Sequence, residues 1–400
     1  MYVSILKRCH RSTRIPWLNR VRHTKVKLTE NPMSINRRDL IRLGGISAAG
    51  LALAGSGVRL AMAERKVAGI ADLSGNENPY GPAPAVAEAL HDTVEAINRY
   101  GFSMERELRR QIAEKEGVSV DHIVIGTGST ELLNASTLVY TAEDRHVITA
   151  DQSYSAVPTY AKNIGREVIY VPVDNELRFD LDAIDQHTTK STGLVYIVNP
   201  NNPTGTIVDS DRLRDFCRSV PRETMVLVDE AYLEFTDNFE RDSMLDLVKD
   251  DLNIIVCRTF SKIHGLAGMR IGYSVARPDI SARLIAHRMC RFMGPLCAQA
   301  ASISLQQNEF HDFCRQKAAE GRQLVFDLCD SLGLDYARGA GNFVFLDPGM
   351  AHEEFKQKMQ AKGVNTARPF PPRRDWARVT MGTTEEMQQF AKVLPEVLAG

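Results

Sequence analysis

The chain has 400 residues, 44% hydrophobic and 25% charged, with a net charge of −1. That is ordinary globular composition, long enough for a large core and two domains. The near-neutral charge argues against nucleic acid as the main partner, and the seven cysteines, an odd number without C-x-x-C spacing, give no zinc pattern.

Residues 1–27 are basic and acid-free. Met33, a candidate start, opens Ser-Ile-Asn-Arg37-Arg38, followed by a weakly apolar Ala/Gly-rich run from Ile46 to Val58 and by Ala61-Met-Ala63. A basic region, a modest apolar region and an A-x-A site in that order predict a twin-arginine export signal cleaved after Ala63, hence a bacterial periplasmic protein. A disordered basic tail on a cytoplasmic protein is the alternative. The apolar run is too short for a membrane span.

From residue 64 the chain alternates helical and strand-like segments. Helical spacing covers Pro84–Ala96 and, as an amphipathic run, Glu105–Glu116 ended by Gly117. Ile123-Val-Ile-Gly is a short strand that runs into Thr127-Gly-Ser-Thr-Glu131 and a further helix. A strand, a small-residue turn and a helix start make an anion site, because free N–H groups and the helix dipole point at one spot; a plain βα turn reads the same way. Short apolar runs at His146, Val168, Gly193, Met225 and Ile254 predict a parallel sheet buried on both faces. Polar clusters follow several of them: Asp151-Gln-Ser-Tyr154, Asn199-Pro-Asn-Asn-Pro-Thr-Gly205, Asp229-Glu-Ala-Tyr232 and Thr259-Phe-Ser-Lys262. Ligands of open α/β sheets bind beyond the strand C-termini, and four such clusters at equivalent ends are hard to explain as packing.

Thr259 to Arg270 concentrates the chemistry. Lys262, among small and apolar neighbours at a strand exit, is a candidate amine nucleophile, while Thr259, Ser261 and Arg270 are donors for a phosphate. A snorkelling lysine at a helix start is the bland alternative. Beyond Ile280 the pattern turns to long helices, Ile280–Arg291 and Ala298–Gly333, then a strand at 341–346, a helix over 353–362, a strand at Arg378-Val-Thr-Met-Gly and a closing helix over 385–398. The expected division is a leader (1–63), an N-terminal segment packing with the small domain (64–98), a large cofactor-binding domain (99–285) and a small C-terminal α+β domain (286–400).

Asn76-Glu-Asn-Pro-Tyr-Gly, Arg99-Tyr, Gly126-Thr-Gly-Ser-Thr-Glu, the Asn199 and Asp229 clusters, Thr259-Phe-Ser-Lys with Gly-Leu-Ala-Gly-Met-Arg, and Arg378-Val-Thr-Met-Gly-Thr resemble pyridoxal-phosphate aminotransferases of fold type I, and among them histidinol-phosphate aminotransferases. The resemblance, over residues 70–395, implies an aspartate aminotransferase-like α/β fold: a large domain with a mostly parallel sheet sandwiched by helices, plus a smaller α+β domain. It implies ping-pong transfer between an amine of histidinol-phosphate or aromatic type and a 2-oxo acid such as 2-oxoglutarate. It implies that Lys262 joins the cofactor and moves protons, that Asp229 pairs with the pyridine nitrogen, and that Asn202 and Tyr232 meet the phenolic oxygen. Tyr154 would stack on the ring; Gly128, Ser129, Thr130, Ser261 and Arg270, with Thr259 close by, would hold the phosphate. Tyr100 would reach the phosphate of a neighbouring subunit in a homodimer; taken alone it fits a core or turn position. Tyr80, Asn202, Arg368 and Arg378 would meet the substrate.

Two places depart from the family pattern. The segment Pro369-Phe-Pro-Pro-Arg-Arg-Asp-Trp-Ala377 is short and proline-rich where a longer, glycine-containing loop is usual, and Thr130 stands where an acidic residue is usual. Arg373 and Arg374 either handle an anionic side chain or form a solvated rim. A lyase, decarboxylase or cyclising enzyme would share the ring-holding residues and is the alternative reading.

Overall fold

A computed structural model describes residues 69–141 and 144–399. The export-signal features, Met33, Arg37-Arg38 and Ala61-Met-Ala63, lie outside the described residues. Strand β1 (Ala71–Leu73) comes first, and the next seven strands form one sheet. These are β2 (Ile123–Thr127), β3 (His146–Ala150), β4 (Val168–Val171), β5 (Thr192–Val198), β6 (Met225–Asp229), β7 (Ile254–Thr259) and β8 (Ile271–Ala276), in the order β2-β8-β7-β6-β5-β3-β4. The predicted parallel runs pair in parallel from β4 through β7. Every residue of β5, β6 and β7 is buried, because helices cover both faces and leave no polar side to the strands.

The sequence reading missed β8. It runs antiparallel between β2 and β7, with Thr127 opposite Ile271 and Thr259 opposite Gly272. The chain therefore leaves the sheet at Thr259, loops through Lys262 and returns at Ile271 to pair back along β7. That return brings Arg270 beside the turn after β2. Gly272 is required at this point, since a Cβ there would run into the backbone N of Ser129.

The predicted 298–333 helix is two helices, Pro295–Ser304 and Asn308–Leu332. No glycine or proline marks the break; the two halves follow different packing partners. The first lies against the helices Pro84–Thr93 and Phe102–Glu116. The second carries Phe310, Cys314 and Ala318 into the core around the seven-stranded sheet, and Val325, Phe326 and Cys329 into a separate core with Phe355 and Phe390. That second core backs a three-stranded antiparallel sheet of β9 (Tyr336–Ala337), β10 (Phe343–Leu346) and β12 (Ala377–Thr380). Strand β11 (Val364–Thr366) pairs in parallel with β1, fixing the N-terminal segment to this smaller unit. The architecture is the α/β fold that the resemblance implies. Among the described residues no helix is long and apolar enough to cross a membrane.

Candidate active site

The strand ends of the large sheet open into a cavity of about 320 Å³ lined by Ser129, Thr130, Tyr154, Asn202, Asp229, Tyr232, Thr259, Ser261, Lys262, Arg270, Arg368 and Arg378. The register explains the convergence: Val198 lies opposite Asp229, and Asp229 opposite Cys257, so the segments that follow β5, β6 and β7 leave the sheet side by side.

One group of these residues suits an oxyanion. The helix Ser129–Tyr140 starts at Gly128 with φ 74° and no side-chain cap, so its first N–H groups remain available. The Arg270 guanidinium packs onto Gly128, where a Cβ would collide with Nη2. Arg270 Nη1 also donates to Ser261 Oγ at 3.5 Å, and its own backbone is left-handed, with φ 53°. Thr259 Oγ1 accepts from the Ser261 N–H at 3.1 Å and so shapes the loop around Ser261.

Asp229 forms the floor. Its carboxylate accepts from Tyr196 Oη at 3.1 Å and from the Ala231 N–H at 3.2 Å. Burial pushes it up to about 6, against the opposing pull of those two donors and of the Lys262 charge. Tyr154 is also raised, by burial first and then by the Asp229 charge.

Above it runs a chain of hydrogen bonds. Lys262 Nζ donates to the Asn76 carbonyl at 3.2 Å and lies 5.3 Å from the Tyr232 ring centre. Tyr232 Oη accepts from Asn76 Nδ2 at 3.1 Å and from Asn202 Nδ2 at 3.3 Å. Asn202 Oδ1 in turn accepts from Arg378 Nη1 at 2.7 Å, while Arg378 Nη2 donates to the Ser74 carbonyl at 2.8 Å. Arg378 is only 8% exposed, and its Nε has no partner. Burial lowers it to about 10, so it stays charged at neutral pH. It forms no ion pair with a carboxylate of the described residues. Phe370 carries two cations: its ring lies 4.7 Å from the Arg378 guanidinium and 4.6 Å from that of the exposed Arg368.

Tyr80 and Tyr100 do not line this cavity. Tyr80 packs edge-on against Phe313 at 4.9 Å. Tyr100 is 71% exposed and sits in an aromatic cluster with Phe102 and Phe292, so within one chain it reaches no site residue. Conversely, Asn76 and Phe370 received no role from sequence, although Asn76 joins Lys262, Tyr232 and Thr380. The Asn76-Glu-Asn-Pro motif was the available signal; Phe370 gave none.

Behind the floor, Arg258 is buried between Glu116 at 2.7 Å and Glu230 at 3.0 Å, and Tyr273 Oη donates to Glu116 at 2.7 Å. This network ties the residue after Asp229 to the residue before Thr259.

The donor set fits pyridoxal phosphate. It offers free N–H groups, hydroxyls and a guanidinium for a phosphate, a buried carboxylate with only neutral hydrogen-bond partners for a protonated ring nitrogen, and an amine for an aldehyde. Among the described residues no group of three or more His, Cys, Asp or Glu side chains could hold a metal ion.

Comparison with known proteins agrees. Residues 68–394 match the model of the family "Aminotransferase class I and II". A histidinol-phosphate aminotransferase of Moorella thermoacetica is 34% identical over 339 residues, 84% of this chain and 87% of that protein. An aromatic amino acid aminotransferase of Cutibacterium acnes is 33% identical over 333 residues, 82% of this chain and 92% of that protein. The crystal structure of histidinol-phosphate aminotransferase from Sinorhizobium meliloti in complex with pyridoxal-5'-phosphate aligns with a TM-score of 0.75 at 27% identity, covering 82% of this chain and 90% of that one. With its lysine, aspartate and arginine gathered at the strand ends of this sheet, the chain belongs to the class I and II aminotransferases.

Proposed function

We propose that the enzyme moves an amino group from histidinol phosphate, or from an aromatic amino acid, to a 2-oxo acid such as 2-oxoglutarate, with pyridoxal 5'-phosphate as cofactor. The observation that carries this reading is Arg378: a buried guanidinium beside the lysine site, with two carbonyl-type acceptors and an unpartnered Nε. A buried cation without a counter-charge is a standing cost that an anion relieves. The anion nearest the reacting carbon is a phosphate across one CH2–O link in one donor class and a directly attached carboxylate in the other. Arg368, sharing the Phe370 ring, supplies the second positive charge that a dianionic phosphate favours.

When bound, the cofactor supplies the aldehyde that takes the amino group and the ring that draws electron density from the reacting carbon. Lys262 Nζ carries the cofactor and afterwards takes and returns the proton at that carbon. Asp229 keeps the ring nitrogen protonated, Asn202 and Tyr232 orient the oxygen face, and Arg378 aligns the substrate. The test is a donor panel on cofactor-loaded protein with 2-oxoglutarate as acceptor. Turnover of histidinol phosphate or of an aromatic amino acid is expected. Turnover of neither, or loss of the amino group without a second half-reaction, would overturn the reading.

The same proposal covers assembly and location. The cluster of Tyr100 (71% exposed), Phe102 (47% exposed) and the half-buried Phe292 is an apolar patch of the kind that marks a subunit contact. It supports a homodimer in which Tyr100 reaches the neighbouring phosphate site; light scattering on Tyr100→Glu against the wild type tests it. The Arg37-Arg38 leader supports export of the folded, loaded enzyme to the periplasm, which cell fractionation tests.

A further inference from the structure

A second cavity, about 620 Å³ against about 320 Å³ for the catalytic one, lies where the large sheet's loops meet the small sheet. Its walls include Arg178, Asp335, Tyr336, Arg338, Arg373 and Trp376, and none of its lining residues belongs to the catalytic cavity. The size and the setting between two units are those of small-molecule sites.

The charges decide what it would take. Arg178 is already paired with Asp174 at 2.9 Å and with Glu176 at 3.0 Å. Arg338 is only 3.8 Å from Asp330 and leans on Tyr336. Arg373 makes no ion pair with any described residue; its guanidinium lies 5.3 Å from the Trp376 ring centre. The lining sets three arginines (Arg178, Arg338, Arg373) against two acids (Glu176, Asp335), and the unpaired Arg373 lies beside the Trp376 ring, which suits a molecule with one flat apolar face and one anionic end.

The wall between the two cavities is the segment Arg368–Trp376. Phe370, which holds Arg368 and Arg378, faces the catalytic side, while Arg373 and Trp376 face the other. One buried side chain holds both halves: Gln152 Nε2 donates to the Phe370 carbonyl at 3.1 Å, and Gln152 Oε1 accepts from the Arg373 N–H at 3.1 Å. Gln152 is 1% exposed, and Asn201 Nδ2 donates to its carbonyl at 2.8 Å. A pull on Arg373 thus reaches Phe370 across a single amide.

We propose that this cavity is a second ligand site, for a small aromatic acid, and that its occupancy changes amino transfer through Gln152. The binding claim does not depend on which donor the enzyme uses. The chain has two tryptophans, Trp17 and Trp376, so full-length holoenzyme carrying Trp17→Phe reports on this cavity by fluorescence. The probe is phenylacetate, which has neither an amine nor a 2-oxo group to react; acetate, without the ring, is the control. Phenylacetate is expected to give a saturable change that acetate does not. Arg373→Ala, an exposed change, should weaken it about tenfold or more. In the donor-driven assay phenylacetate should shift kcat or KM by about fivefold, not competitively with the donor, and Gln152→Leu should keep the binding while losing that shift. The proposal is overturned by no saturable change up to about 10 mM, by an unaltered titration in Arg373→Ala, or by strictly competitive inhibition. Binding without any kinetic effect overturns the coupling.

Discussion

Replacing Asp229 by Asn separates what the residue does for catalysis from what it costs the fold. In the protein stripped of cofactor, burial raises this carboxyl to about 6 from an ordinary 3.8, which at 1.36 kcal/mol per decade is a penalty of about 3 kcal/mol for keeping it ionised. Because the folded value lies above the unfolded one, the site's contribution to stability is full below the unfolded value and is lost as the pH rises through about 6. Asparagine does not titrate, yet it keeps an oxygen for the Tyr196 hydroxyl and the Ala231 N–H. Cofactor-free Asp229→Asn should therefore be the more stable protein at pH 7.5, by about 3 kcal/mol, and its lead should shrink by about 2 kcal/mol at pH 4.5. Urea unfolding of both proteins at the two pH values measures this directly. The same variant should lose turnover far more than cofactor affinity, since on the proposed reading the carboxylate would hold a proton on the cofactor ring. A stability difference that is equal at both pH values, or a variant less stable than wild type at pH 7.5, would refute the reasoning.

Arg378→Lys keeps the charge but loses the fork that spans Asn202 and Ser74. Its kcat/KM should fall about 100-fold for donor and acceptor alike, with cofactor affinity nearly unchanged, because on the proposed reading one guanidinium would align the substrate of both half-reactions; steady-state kinetics with each substrate varied would show it. Arg258→Ala leaves Glu116 and Glu230 buried without their shared counter-ion. It should cost about 3–5 kcal/mol in urea unfolding, whereas the conservative Arg258→Lys should recover part of that loss. Gly272→Ala sets a methyl against the start of the helix Ser129–Tyr140. Equilibrium dialysis should find pyridoxal phosphate bound about tenfold more weakly, with the Lys262 position intact.

Much of the site was legible because its residues follow strands that periodicity reveals. Asp229 closes a buried apolar run, Lys262 follows another, and Asn202 and Tyr154 lie just beyond two more. What escaped depended on contacts far apart in sequence. Asn76 meets Thr380 across 304 positions; the Asn76-Glu-Asn-Pro motif marks the segment, but only the fold shows that it crosses the strand ends and holds the lysine's amine. Phe370 reads as an ordinary apolar residue in a proline-rich loop; only the fold sets it against two guanidiniums. Strand β8 was hidden for a different reason. Ile271–Ala276 is a short buried run directly after the Lys262 loop, and a reading built on alternating strands and helices passes over an antiparallel return. Arg373, for which sequence left two roles open, lines the second cavity rather than the catalytic one.

The most direct test concerns the amine at position 262. Native, cofactor-loaded protein is treated with borohydride, digested and mapped. A single pyridoxyl label on the peptide containing Lys262, absent from Lys262→Ala, is the result predicted here. A label on another lysine, or a purified protein that takes up no cofactor, would contradict the account.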